Sequence, residues 1–181
     1  MALWLNAIGY QVVWFCAVIG AGGGRWWPAL LAASVFGAWQ WAVSRQRVAD
    51  LRLVAAALAC GLAIDGALAA SGLARYAAAW PSAALAPAWI LAVWAAFAMT
   101  LNHSMRWMQP RPWAAALLGA VGGPLAYLGA ARGWDAVAFA PPQWPALLVL
   151  AALWLLAMPL LAGLARYWSG DGRDRVRLPQ T

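Results

Sequence analysis

Few side chains in this protein can do chemistry, and most of them interrupt apolar runs. His103 is the single histidine among 181 residues. It sits in Thr100-Leu101-Asn102-His103-Ser104, near the end of the run from Ala88 to Trp107. Asp65 interrupts another run as Ile64-Asp65-Gly66, and Asn6, Gln11 and Tyr127 are further polar groups in hydrophobic surroundings. Polar groups inside a membrane helix must be satisfied by protein or water, and ionisable ones mark candidate sites. A carboxylate at a helix centre costs about 2.5–3.5 kcal/mol on insertion scales. Asp65 must therefore be neutral, paired or wetted by a cavity. Two readings follow for it: a protonated structural group bonded to a backbone carbonyl or to Gln11, or a residue lining a polar cavity. For His103 the readings are a solvated interfacial residue, with Arg106 one turn later, or a general base, a proton relay with Asp65, or a ligand to a pigment or haem. Asp65 and His103 are the catalytic candidates. The ligand-binding candidates are Asn6, Gln11, Asp65, Asn102, His103, Ser104 and Tyr127.

These groups need a scaffold, and composition restricts which kind. The chain is 66% hydrophobic and only 9% charged, against roughly 25% charged in an ordinary soluble domain. Twelve cations and five acids cannot cover a water-soluble globule, so most of the surface must face lipid. All twelve cations are arginine and all five acids aspartate, a bias of composition. The net charge of +7 falls in short loops, where arginine sets topology and meets anionic lipid heads. No basic domain is present to bind nucleic acid. Cys16 and Cys60 lie in apolar runs and read as small core residues. Two cysteines and one histidine make no zinc set, and no cofactor is expected. The N-terminus lacks a charged region and cleavage site, so it reads as a retained span.

A spanning helix needs about 20 apolar residues. Six segments qualify: Ala2 to Ala21, Trp26 to Val43, Leu51 to Leu73, Ala88 to Trp107, Pro112 to Ala131 and Trp144 to Tyr167. The fold class is an all-α integral membrane protein of six transmembrane helices. Residues 1–168 form the bundle, and 169–181 a mobile polar cytoplasmic tail. With the N-terminus inside, nine arginines are cytoplasmic and three (Arg25, Arg75, Arg132) are outside, a usable positive-inside signal. Both termini are then cytoplasmic. Two outer loops, Tyr76 to Pro87 and Gly133 to Pro145, are rich in proline and aromatics. They read as an interfacial belt or a short lid.

Helix rise assigns depths. Asn6, Gln40, Asn102, His103 and Ser104 form a polar layer near the inner boundary. Asp65 and Gln11 lie deeper, near the midplane or slightly beyond it, level with Gly122, Gly123 and Pro124, which allow close helix packing or a helix break. Tyr127 lies one turn further out.

Several blocks together resemble a known family. They are Asn6 with Gln11 and Trp14; Ile64-Asp65-Gly66; Thr100 to Ser104 with Trp107; and Gly119 followed by Gly122-Gly123-Pro124-Leu125-Ala126-Tyr127. The combination is similar to a bacterial inner-membrane family, domain of unknown function 2878 (DUF2878), across essentially the whole chain. Its members tend to be encoded beside enzymes that alter fatty-acyl chains. The resemblance thus implies membrane-lipid modification or a response to photo-oxidative stress.

Four functions compete. A protein that holds a lipid or small amphiphile in an intramembrane polar site fits the small bundle and polar cluster. A lipid-modifying enzyme would use His103 as base and Asp65 as acid, but it lacks a second histidine, a metal cluster and a nucleophile elbow. A proton-coupled transporter would use Asp65 and a broken fifth helix, but no internal repeat is visible. A structural subunit of a complex is the fourth. The expected partners are membrane lipid and other membrane or lipid-modifying proteins, in the bacterial inner membrane.

Overall fold

The computed structural model describes residues 2–170, so the expected tail lies outside the described residues from 171 onward. Six α-helices follow one another: α1 (Ala2–Gly22), α2 (Trp27–Val43), α3 (Arg47–Ala70), α4 (Ala88–Leu101), α5 (Pro112–Trp134) and α6 (Trp144–Trp168). A 3-10 turn, Arg106–Met108, links α4 to α5. Proline enters the first turn of α2, α5 and α6, where its missing N–H costs nothing. Among the described residues, four helices (α1, α3, α5 and α6) are long and apolar enough to cross a membrane. Their outward faces carry large apolar side chains such as Leu62, Val121 and Leu156, as lipid contact requires.

Several helix boundaries differ from expectation, because local turns and short-range hydrogen bonds outweigh the apolar pattern. Helix α3 begins at Arg47 rather than Leu51. Ser44 Oγ donates to Asp50 and accepts from the Gln46 N–H, which fastens the connector to the first turn. Helix α3 also ends early, at Ala70, because Gly72 turns the chain at φ 70°. Helix α4 stops at Leu101 rather than Trp107. Asn102, His103 and Ser104 therefore occupy a tight turn, closed by the Met105 N–H on the Thr100 carbonyl at 2.8 Å. Helix α5 runs unbroken through Gly122, Gly123 and Pro124, so the expected break is absent.

The two aromatic loops pair with each other. Strand β1 (Ala74–Tyr76) lies antiparallel to β2 (Val137–Phe139), with Arg75 opposite Ala138. Trp80 of the first loop stacks on Trp26 at 4.6 Å. This makes a cap at the end of the bundle opposite the 102–105 turn. Three-residue strands carry no periodic signal, so the ladder could not be read in advance.

Helix α4 is the axis. It packs on α1, α2, α3 and α6 and buries eight of its 14 residues, including Trp89, Trp94 and Phe97. A helix apolar on all sides belongs at the centre of a bundle. Helices α5 and α6 share the broadest interface, whereas α1 barely touches α5. That thin seam is where the bundle opens.

Candidate functional site

At the arginine-rich end, the 102–105 turn ties three helices together. Asn6 of α1 donates Nδ2 to Gln40 Oε1 of α2 at 2.8 Å and to the Met99 carbonyl at 3.1 Å. Its Oδ1 accepts from Ser104 Oγ at 2.6 Å and from the Ser104 N–H at 3.3 Å. Two donor and two acceptor positions exhaust an amide side chain, so Asn6 acts as a strut. Next to it, Asp50 of α3 receives Asn102 Nδ2 at 2.8 Å, Ser44 Oγ at 2.5 Å and His103 Nε2 at 3.3 Å. Gln109 Nε2 donates to Asn102 Oδ1 and to the Leu101 carbonyl, both at 3.0 Å. His103 is 23% exposed. An imidazole held by a buried carboxylate can take up or pass a proton.

At the capped end, Asp65 is wholly buried inside three donors. Tyr76 and Tyr127 hydroxyls reach Oδ1 at 2.8 and 2.5 Å, and Trp94 Nε1 reaches Oδ2 at 2.7 Å. Gly61, one turn before Asp65 on α3, lets this happen. A Cβ there would lie 2.5 Å from the Trp94 ring, so only glycine allows the indole to lie flat on α3. Tyr76 comes from β1, outside the helices. Burial first, then the neighbouring Asp65 charge and hydrogen bond, raise its phenol above the ordinary tyrosine value. It stays a donor throughout the physiological range.

The sequence-derived candidates thus divide into two separate networks. Asn6, Asn102, His103 and Ser104 come together with Gln40, as their depths imply. Asp65 and Tyr127 come together at the other end. No hydrogen bond joins Asp65 to His103, whose carboxylate partner is Asp50. Gln11 is exposed on the outer face of α1 and is not a partner of Asp65; nor is a backbone carbonyl. With α3 ending at Ala70, Asp65 lies five residues, about 8 Å by helix rise, from the end of its helix, well past the helix centre. Asp50, Tyr76, Trp94 and Gln109 were not foreseen. Asp50 left a signal: Asp50, Leu53, Ala57, Gly61, Asp65 and Leu68 recur every three or four residues and all are buried.

Between the two networks lies a half-open cleft of about 200 Å³. Tyr10 and Trp14 of α1 form one wall, and Gly119, Gly122, Gly123 and Tyr127 of α5 the other. Trp94, Phe97 and Trp154 make the floor. Trp94 and Trp154 stack at 4.5 Å, and Phe97 meets both edge-on. Glycine shapes the α5 wall in two ways. A Cβ on Gly119 would collide with the Trp154 carbonyl oxygen, and one on Gly123 would sit 2.5 Å from the Trp154 ring. These two bring α6 close. A Cβ on Gly122 would meet only Leu118, at 3.9 Å, so Gly122 keeps space open. Trp94 and Tyr127 line the cleft and bind Asp65 at once, so the buried carboxyl fixes two of the cleft's rings.

Among the described residues no three metal-ligating side chains converge. A family model described as "Protein of unknown function (DUF2878)" matches residues 3–160. No curated protein and no solved structure matches the chain.

Proposed function

Because the chain belongs to the DUF2878 family, whose description leaves activity open, we propose from its geometry that it holds the hydrocarbon chain of a membrane lipid or small amphiphile. The observation that carries this is the cleft between α1 and α5, apolar along its length and bordered by helices with lipid-type surfaces. Its α5 wall runs from Leu118 to Ala130, twelve steps or about 18 Å of helix. A dry apolar cavity of about 150 Å³ takes a benzene ring. A cleft of about 200 Å³ drawn out along that length suits a slender chain and not a fused ring system. Aromatic walls fixed by hydrogen bonds supply contact area at low entropic cost.

In this reading six helices span a bacterial inner membrane, with the arginine-rich end in the cytoplasm. Helix α2 has 17 residues, the lower limit for a span, and α4 has 14. The 102–105 turn and the 3-10 segment extend α4 to the cytoplasmic boundary. A chain-holding protein also fits the link to fatty-acyl modification that the family resemblance implies. A second reading, a lipid-modifying enzyme, is favoured by the Asp50–His103 contact. In that case lipid profiles of cells expressing wild type and His103→Gln should differ, with an altered species only in the former.

The primary test is to purify the protein from native membranes, wash it with detergent and identify retained lipids by mass spectrometry. One chain-bearing species should be enriched over the bulk membrane and lost in Gly122→Leu, which fills the cleft. An unenriched lipid profile in wild type would remove the proposal.

A further inference from the structure

The cleft's polar side-chain atoms are the hydroxyls of Tyr10 and Tyr127, which donate and accept, and four indole N–H groups, which only donate. They divide into satisfied and unsatisfied ones. Tyr127 O–H and Trp94 N–H are spent on Asp65, and Trp89 N–H on the Ala77 carbonyl at 2.9 Å. Trp154 Nε1 is buried with no partner, out of reach of solvent. Tyr10 and Trp14 remain. Both line the cleft. Their rings are packed, Tyr10 on Phe97 at 5.8 Å and Trp14 on Trp134 at 5.6 Å. Neither the Tyr10 hydroxyl nor the Trp14 indole N–H makes a hydrogen bond among the described residues, and both atoms are accessible, unlike Trp154 Nε1. Four residues apart, they share one face of α1, about 6 Å apart along the axis.

An indole N–H can only donate. A donor left unmade in an apolar setting is unfavourable, and two that are accessible from one wall of the cleft suit an acceptor on the bound chain. Among the described residues no arginine, aspartate or histidine lines the cleft, so a charged headgroup would enter it without a counter-ion from them, at heavy cost. Resting on the chain-holding reading, we infer that the chain is uncharged and carries a carbonyl-type oxygen that accepts from the Tyr10 hydroxyl, with Trp14 one turn along as a second donor. Long-chain acyl esters and quinones share this chemistry.

The test uses the full chain in lipid nanodiscs. Methyl 9,10-dibromooctadecanoate, whose bromines quench nearby tryptophan, serves as the reporter ligand. Competitors are hexadecane, methyl hexadecanoate, hexadecanoate and a decyl-substituted benzoquinone. In wild type the ester or the quinone should displace the reporter at about tenfold lower concentration than the alkane, the worth of one net hydrogen bond. Whichever is tighter identifies the source. Tyr10→Phe, which keeps the ring, should remove most of that difference and leave alkane competition unchanged; Trp14→Phe should remove less. Equal competition by ester, quinone and alkane in wild type overturns the inference while leaving the cleft reading intact. So does hexadecanoate as the strongest competitor. Gly122→Leu separates the two failures: if reporter quenching survives in that variant, the ligand is not in the cleft, and both statements fall.

Discussion

With both carboxyl oxygens of Asp65 taken by Trp94, Tyr76 and Tyr127, substitution there strands donors from three different elements. Asp65→Asn keeps one acceptor but turns the other position into a donor facing donors. The two phenols can reorient, since a hydroxyl also accepts; the indole cannot. Loss of one to two buried hydrogen bonds costs about 2–4 kcal/mol. Asp65→Asn is therefore expected to lower the thermal unfolding midpoint of the purified protein clearly, and Asp65→Leu further. A midpoint equal to wild type would return Asp65 to the role of a replaceable cavity-lining group. At this scale Asp65 was legible because a lone carboxylate in an apolar run has no innocuous explanation. Asp50 was not, because Arg45, Arg47 and Arg52 around it make it look like part of a solvated helix end. Only its position on the buried stripe of α3 separates it from them. Trp94 was hidden among fifteen tryptophans, most of which have an ordinary place at the membrane interface.

Along α5, three glycines within five residues do different work, and substitution should separate them. A methyl at Gly119 runs into the Trp154 backbone, which cannot yield without moving α6. One at Gly123 presses on the Trp154 ring, itself pinned by its stack on Trp94. Gly119→Ala and Gly123→Ala are each expected to cost about 2–3 kcal/mol, the range for an overpacked core. Gly122→Ala meets only the tip of Leu118 and gains helix propensity, so it should be neutral or stabilising by up to about 1 kcal/mol. Midpoints for the three single variants, measured side by side, check this. Three equal losses would mean that all face the α5–α6 interface and that the cleft wall is misplaced. In the sequence, two glycines before Pro124 allow close helix packing, which Gly123 provides, or a local break. The helix instead continues, because the proline removes one N–H and the Ala120 turn it would crowd is small. Helix existence was readable from apolar runs alone. The start of α3 and the end of α4 were not, because polar side chains settle them: Ser44 with Asp50 six residues on, and Asn102 with Asp50 across the fold.

For the molecule as a whole, the short central helix is the feature that topology must explain. Fourteen residues rise about 21 Å, short of a hydrocarbon core of about 30 Å, and an isolated helix of that length would leave backbone groups unpaired in lipid. Surrounded by α1, α2, α3 and α6, α4 meets protein instead, and irregular backbone is tolerated at membrane depth when it is buried in protein. The polar network receives one of its ends and the strand-paired cap the other. The proposed six spans would alternate in direction, with Arg45, Arg47, Arg106 and Arg111 at the network end and Arg75 and Arg132 at the cap. A positive-inside bias then predicts that the network end is cytoplasmic. In a background with Cys16→Ala and Cys60→Ala, cysteines introduced at Ala84 in the cap loop and at Arg45 in the α2–α3 connector, both exposed, should report opposite sides. A membrane-impermeant maleimide should label Ala84→Cys in intact cells, and Arg45→Cys only after the membrane is opened. The reverse pattern would invert the orientation and leave the bundle as described. Labelling of both positions from the same side would mean that α3 does not cross. Asp50 and Asp65, 15 residues apart on one stripe of that helix, would then no longer mark opposite sides of the membrane.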